Sequence, residues 1–341
     1  MGAADIADIA VLSSEAETGN RDPDTGAGRI LLEGHFLFDL IDRQVEFAPY
    51  KMLILPDVIT VDAEFGKRID AYLASGGKLL LTGKSGLKKD ESGFAFDIGA
   101  SYHGESPFQP DYVEMDGLAP EFMAHDGPGH PCPGPGPVVM YMRSQQVKAT
   151  SGEVLARIRE PYFNRTWKHF CSHQHAPAAG LSEYAAAVRK GSVLYLAHPV
   201  FAHYYAMGAV AYKDYVVNAI RALLGDAESI STNLPSTARV ALTRQADYNR
   251  FVLHLLYANT IARGAQAQLS PEGYVRGSNR LEVIEDLLPL RDVEVTLALP
   301  EKVESVTLEP QGKAIPFEID GGRIKLKVNG FTCHQMVALH Y

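Results

Sequence analysis

Tyr50-Lys-Met-Leu-Ile-Leu-Pro-Asp57, then Asp62 to Ser75, then Gly76-Gly-Lys-Leu-Leu-Leu-Thr-Gly83 is the stretch from which the fold can be read. An apolar run of strand length is followed by a segment with apolar residues at helical spacing. Two glycines stop that segment, and a second apolar run follows. Working outward, Ile9-Ala-Val-Leu-Ser13 reads as a short buried strand. Gly28 to Leu40 has helical spacing, and Gln44 to Phe47 reads as a weaker second strand. Towards the C-terminus, Gly191-Ser-Val-Leu-Tyr-Leu-Ala197 reads as a strand and Tyr204 to Leu224 as one long amphipathic helix stopped by Gly225. Strands alternating with helices pair in parallel through right-handed crossovers, which predicts an α/β fold built on a doubly wound parallel sheet.

Two regions break this rhythm. Lys84 to about Val147 shows no clear period, and Asp126-Gly-Pro-Gly-His-Pro-Cys-Pro-Gly-Pro-Gly-Pro137 reads as a loop, either an ordered lid or an insertion. Beyond Ser229 the texture becomes alternating, as in Ala238-Arg-Val-Ala-Leu-Thr243, Arg250-Phe-Val-Leu-His-Leu-Leu-Tyr257 and Ile324-Lys-Leu-Lys-Val328. Similar short runs begin at Asp292, Ser305 and Met336. They predict a small antiparallel β-sandwich. The expected domains are therefore 1–229 and 230–341.

Composition narrows the function classes. The 341 residues are 46% hydrophobic and 21% charged, which is ordinary globular usage. A formal net charge of -9 and the absence of a basic run argue against nucleic acid as a partner. No apolar window reaches membrane-spanning length, and no basic-then-apolar leader opens the chain. Cys132, Cys171 and Cys333 lack metal-type spacing and are too few for a disulfide framework. A reducing, cytoplasmic location is the expectation. The first strand begins almost at once, which is compatible with a piece of a longer chain.

Ligands of a doubly wound sheet bind beyond the C-terminal ends of its strands. That rule singles out Asp57 and the turn Thr82-Gly-Lys-Ser-Gly86. The turn is too short for a phosphate-binding loop of the Walker type. The densest cluster of reactive side chains is Tyr162-Phe-Asn-Arg-Thr-Trp-Lys-His-Phe-Cys-Ser-His-Gln-His175, which holds three histidines, an arginine, a cysteine and the only tryptophan. A Cys171-His nucleophile pair is disfavoured because residues two apart lack a third, orienting group. A metal centre on His169, His173 and His175, completed by histidines at 125, 130, 198 or 203, is weighed against a hydrogen-bonding network. The network is favoured, because no single helix or strand gathers all three imidazoles. Neither a metal nor a cofactor is expected. Tyr162, Phe163, Trp167 and Phe170 either stack on a sugar or form core, and core is the preferred reading. The ligand or interface candidates are Asn164, Arg165, Trp167, His169, His173, His175 and Asp57. Arg165 and His173 lead that set, and no residue is assigned a catalytic role.

The strand, helix and strand order from Ile9 to Gly83 resembles the class I glutamine amidotransferase-like fold, a flavodoxin-like arrangement. In that fold the second crest carries a nucleophilic cysteine, whereas here the crest holds Thr82 or Gly83, so amidotransferase chemistry is not expected. The same segment resembles the beta-galactosidase trimerisation domain, the middle domain of family 42 glycoside hydrolases. Tyr162 to Pro177, Arg250 to Tyr257 and Leu287-Leu-Pro-Leu-Arg-Asp-Val-Glu-Val295 resemble the C-terminal region of bacterial fucosidase-like glycoside hydrolases. The resemblance implies a homo-oligomer, with a trimer favoured, and a carbohydrate ligand. It also implies that the two catalytic carboxylates belong to an upstream (β/α)8 barrel. The chain is thus expected to be a non-catalytic accessory region of a carbohydrate-active enzyme. The competing expectation is a self-sufficient hydrolase that uses the histidine segment.

Overall fold

The computed structural model describes residues 2–120, 136–263, 267–269, 275–277 and 281–341. They form two compact units. The first comprises Ala7–Leu31 and Phe38–Glu228, and the second comprises the N-terminal residues through Ile6, Leu32–Leu37 and Ser229–Tyr341. The proline- and glycine-rich stretch read as a loop, with His125, His130 and Cys132, lies outside the described residues except at its C-terminal end.

The first unit is built on a nine-stranded sheet. Its parallel half runs Phe38–Ile41, Ile9–Leu12, Met52–Leu55, Lys78–Thr82 and Val193–Leu196 in spatial order. Every residue of Ile9–Leu12, Met52–Leu55 and Val193–Leu196 is buried, as the unbroken apolar runs require of parallel strands with no wet face. The helix Ala63–Ala74 follows Met52–Leu55. Asp62 caps it by accepting a hydrogen bond from Phe65 N at 2.9 Å, and Phe65, Ile69 and Tyr72 line its buried stripe.

Two helical expectations are corrected. The helix read at Gly28 to Leu40 is Asp22–Glu33, with Pro23 in its first turn and the short helix Ser14–Thr18 before it, and Phe38–Ile41 is the second strand of the parallel half rather than Gln44 to Phe47. Phe36 to Ile41 satisfies a strand period as well as a helical one, and pairing of Phe38 with Ile9 settles the ambiguity. The long C-terminal helix is two, Val200–Met207 and Val210–Leu224. Gly208, at a φ of 62°, ends the first by donating its N–H to Tyr204 O.

The other half of the sheet is antiparallel, with two of its strands in the region without a clear period and two beyond it. From Val193–Leu196 the order continues through Ala178–Lys190, Glu153–Pro161, Asp111–Glu114 and Val138–Met140. Ala178–Lys190 and Glu153–Pro161 form a hairpin with repeated register shifts, closed by residues 162–177. Only Ala187 to Lys190 of the long strand pairs with Val193–Leu196. The nine residues Ala178 to Ala186 therefore overhang the C-terminal crest of the parallel strands by roughly 30 Å if extended.

Among the described residues the second unit holds two larger antiparallel sheets, besides the two-stranded pairs Ile261–Arg263 with Leu281–Val283 and Ala267–Leu269 with Val275–Gly277. One has six strands in the order Ala3–Asp5, Arg239–Gln245, Arg250–Tyr257, Cys333–His340, Ser305–Glu309 and Lys313–Ala314. The other has four, in the order Ile230–Thr232, Leu290–Leu297, Arg323–Phe331 and Phe317–Asp320. Leu242, Phe251, Leu253, Val337 and Leu339 of the first share one apolar cluster with Val295, Ile324, Leu326 and Val328 of the second. Strict alternation produces this in Arg323–Phe331, where Ile324, Leu326 and Val328 are buried while Lys325 and Lys327 face out.

Candidate functional site

Three parallel strands end side by side, and the residues just past them build a cleft of about 300 Å³. Met52–Leu55 delivers Asp57, Lys78–Thr82 delivers Gly83 and Lys84, and Val193–Leu196 delivers Pro199. Glu105 and Gln145, paired in a separate two-stranded sheet of Ala100–Glu105 and Gln145–Ala149, close it together with Arg143. Asp57 and Gly83 both sit in the left-handed region, at φ 53° and 56°. At Gly83 a Cβ would lie 2.8 Å from Asp57 O, so glycine is required there. Lys84 N donates to Asp57 O at 2.7 Å and ties the two crests together. The Thr-Gly-Lys-Ser-Gly segment is a turn, as its composition predicts.

Asp57 is buried. Its Oδ1 accepts from the Thr82 hydroxyl at 2.6 Å, and its Oδ2 accepts from Ala202 N at 2.7 Å in the first turn of Val200–Met207. Burial nevertheless dominates, pushing the carboxyl up to about 6 from the ordinary aspartate value of 3.8, against the bonds from Thr82, Ala202 and Phe201. The native protein therefore holds this proton through a window in which the unfolded chain has lost it. The stabilisation from Asp57 is complete below about pH 4 and is lost as pH rises through about 6. Asp57→Asn tolerates the left-handed backbone and removes the titration. In urea denaturation at pH 4.5 and pH 7.5, the wild type should lose about 2 kcal/mol more across this interval than the variant. Equal losses would mean that Asp57 is ionised throughout.

The far wall of the cleft is a chain of polar contacts. Arg143 donates from Nη1 to Ser106 O at 2.8 Å and from Nε to Gln109 Oε1 at 3.2 Å. Gln109 donates from Nε2 to Tyr141 O at 3.1 Å and from its backbone N to Asn164 Oδ1 at 2.9 Å. Asn164 Nδ2 in turn donates to Pro107 O at 2.8 Å. Asn164 thus fastens the histidine-rich hairpin tip to the cleft wall. Among the sequence candidates, Asp57 and Asn164 are the two brought to this cleft.

The other candidates stay on the tip. Arg165 Nη1 donates to Gln174 O at 2.9 Å, His169 N bonds Thr166 Oγ1 at 3.1 Å, and Cys171 Sγ lies 3.3 Å from His175 O. Trp167 is 83% exposed, Phe170 71% and Tyr162 70%, so the reading of these aromatics as core is wrong. They occupy the end of an overhanging hairpin, where no second layer covers them within the unit. His169 and His173 are exposed as well, whereas His175 is half-buried against the Tyr112 and Tyr141 rings. Among the described residues, no three His, Cys, Asp or Glu side chains converge as a metal site.

Sequence reasoning missed a buried polar network. Ser144 Oγ donates to Asp111 Oδ2 at 2.6 Å, and His198 Nε2 lies 2.6 Å from Asp111 Oδ1, with all three residues buried. These are the residue types of a hydrolytic triad in the wrong order. The carboxylate stands between serine and imidazole, so no base touches the hydroxyl. His203, also buried, accepts from Tyr141 N at 3.2 Å and stacks on Tyr212 at 4.3 Å. Burial, then the neighbouring His198, lowers its pKa to about 3 and keeps it neutral. The available signal was position, since His198-Pro199 follows the third strand of the crest as Asp57 follows the first.

The cleft offers Lys84, which is paired with Glu91 at 2.9 Å, together with Arg143, Glu105 and amide groups. Hydrolysis of a glycosidic bond needs two carboxyls flanking the bond. Here Asp57 is buried with its oxygens hydrogen-bonded, and the other acid lining the cleft is Glu105. The arrangement suits binding of a polar molecule rather than its cleavage.

Residues 29–101 match the family model of the beta-galactosidase trimerisation domain. The chain is also similar to an α-L-fucosidase, isoenzyme 2 from Paenibacillus thiaminolyticus, at 37% identity and a TM-score of 0.86. That match covers 99% of this chain and 49% of the fucosidase, so the chain spans about half the length of this relative. A beta-galactosidase from Bacillus circulans sp. alkalophilus matches over 99% of this chain and 42% of its own, at 14% identity and a TM-score of 0.54. One from Rahnella sp. R3 matches over 99% and 41%, at 16% identity and 0.53. The two beta-galactosidases share the fold. No curated protein matches the chain. Among the described residues, no helix is long and apolar enough to cross a membrane.

Proposed function

We propose that this chain is a non-catalytic accessory and oligomerisation region of a glycoside hydrolase. The observation that carries the reading is the 37% identity to an α-L-fucosidase sustained over 99% of this chain but only 49% of that enzyme. The trimerisation-domain match at residues 29–101 supports self-association, with a trimer favoured. The order of the five parallel strands, second, first, third, fourth and fifth along the chain, supports a flavodoxin-like, class I glutamine amidotransferase-like sheet. The two larger sheets of the second unit, joined by one apolar cluster, support a β-sandwich.

In this reading the sheet carries the hairpin, and the hairpin carries Trp167, Phe170 and Tyr162 outward to a neighbouring subunit's sugar site. Their rings stack on the apolar face of a pyranose, while Arg165, His169 and His173 hydrogen-bond its hydroxyls. Asn164 couples the tip to the cleft. The catalytic carboxylates are supplied by a barrel outside this chain. Thr82 leaves no amidotransferase nucleophile at the crest, because its hydroxyl is already given to Asp57.

Size-exclusion chromatography with light scattering tests the assembly step. At high micromolar concentration the 37.2 kDa chain is expected to elute as three copies. A strict monomer at that concentration would remove the oligomerisation role.

A further inference from the structure

Far in sequence from the crest cleft, the outer face of the six-stranded sheet carries two imidazoles in contact. His254 Nδ1 and His334 Nε2 are 3.1 Å apart. The ring planes differ by 6° and the centroids by 5.3 Å, a separation that the nitrogen contact and the two ring radii account for end to end. The rings therefore lie edge to edge in one plane, joined by an N–H···N hydrogen bond, rather than stacked face to face. The register explains the meeting. His254 pairs with Met336 and His334 with Leu256, so the two histidines are diagonal neighbours on one face. Asp5 reaches the same face through its pairing with Thr243, itself paired with Val252.

We infer that His254 and His334 form a binding site for a divalent transition-metal ion of the imidazole-preferring class, copper or zinc. Two nitrogens bound to one ion at about 2.0 Å are about 2.8 Å apart at a right angle and about 3.3 Å at the tetrahedral angle. The observed 3.1 Å lies between these values. The backbone therefore already holds the donors at chelating distance, and rotation of the exposed His334 ring turns both lone pairs onto the ion. From the neutral pair no proton is released, because the donating ring moves its proton to its outer nitrogen. From a pair carrying one extra proton, that proton leaves to solvent. Burial, then His334, lowers the proton affinity of His254, with Asp5 opposing, which favours a free lone pair at neutral pH. The donor set is two imidazoles, and copper is the tighter ion in the usual affinity order.

Calorimetry of the whole chain with Cu(II) and with Zn(II), backed by the nitrogen hyperfine pattern of bound Cu(II), tests this. One copper per chain is expected, coordinated by two imidazoles, with zinc weaker. His254→Ala and His334→Ala should each weaken copper binding at least about tenfold with unchanged circular dichroism. The hairpin-tip variant His169→Ala/His173→Ala should bind as the wild type does. Loss of the copper signal in the tip variant, retention in the His254 and His334 variants, or no binding by the wild type would each overturn the assignment.

Discussion

Gly26→Ala is expected to destabilise the first unit by about 3 kcal/mol or more, the reverse of what alanine does in most helices. Gly26 lies in the helix Asp22–Glu33, and a Cβ there would fall 1.9 Å from Phe201 O and 2.6 Å from its carbonyl carbon. Backbone atoms have no rotamer with which to give way, so the helix must lift from Val200–Met207 or the crest must shift. Gly28, two residues further along the same helix, has open space where a Cβ would stand, with no heavy atom within 4 Å. Gly28→Ala should therefore be neutral or stabilising by up to about 1 kcal/mol. Denaturant unfolding of the two variants side by side gives the answer. Equal stability would mean that Phe201 does not pack against Gly26.

Asp111→Ala should cost about 3–5 kcal/mol, because it leaves the Ser144 hydroxyl and the His198 nitrogen buried without their acceptor. Asp111→Asn keeps the shape and one acceptor, so it should lose only about 1–2 kcal/mol. The contrast matters for function as well as stability. Gln145, directly after Ser144, lines the cleft, and Gln145 N donates to Ala197 O at 2.8 Å beside His198. The network therefore fixes the path of the chain that carries Arg143. Urea denaturation followed by circular dichroism measures both variants, and an Asp111→Ala loss under about 1 kcal/mol would show that water replaces the carboxylate.

The parallel half of the first sheet was legible because its signals are local. Met52–Leu55, Lys78–Thr82 and Val193–Leu196 are apolar throughout or nearly so, and Asp62 and Gly76 mark the ends of a helix with their own chemistry. The second strand was misplaced because Phe38 to Ile41 fits two periods, and only a partner at Ile9 distinguishes them. The antiparallel half was not legible. Glu153–Pro161 and Ala178–Lys190 shift register repeatedly, so the period of two that marks a strand is broken along its length.

The candidate site was legible by position and misjudged by environment. The crest rule found Asp57, and the density of reactive side chains found the segment from Tyr162 to His175. Exposure of Trp167 could not be read from its neighbours, since an aromatic cluster looks the same in a core and on a hairpin tip. Nor could the sequence spacing of Asp111, Ser144 and His198, which lie 33 and 87 residues from Asp111, announce a single network.

The amino-acid sequence by itself determined which segments are strands buried on both faces, where one helix starts and stops, which residues stand at two of the strand ends, and that the C-terminal strands alternate. Each of these depends on side chains within a few residues of one another. Tertiary structure alone decided which crest residues point into a cleft, which carboxylates are held by partners, that the Trp167 tip stands clear of its unit, and that His254 meets His334. Those outcomes depend on strand register and chain crossing, in which distant residues approach within hydrogen-bond range, and no local pattern encodes such a distance.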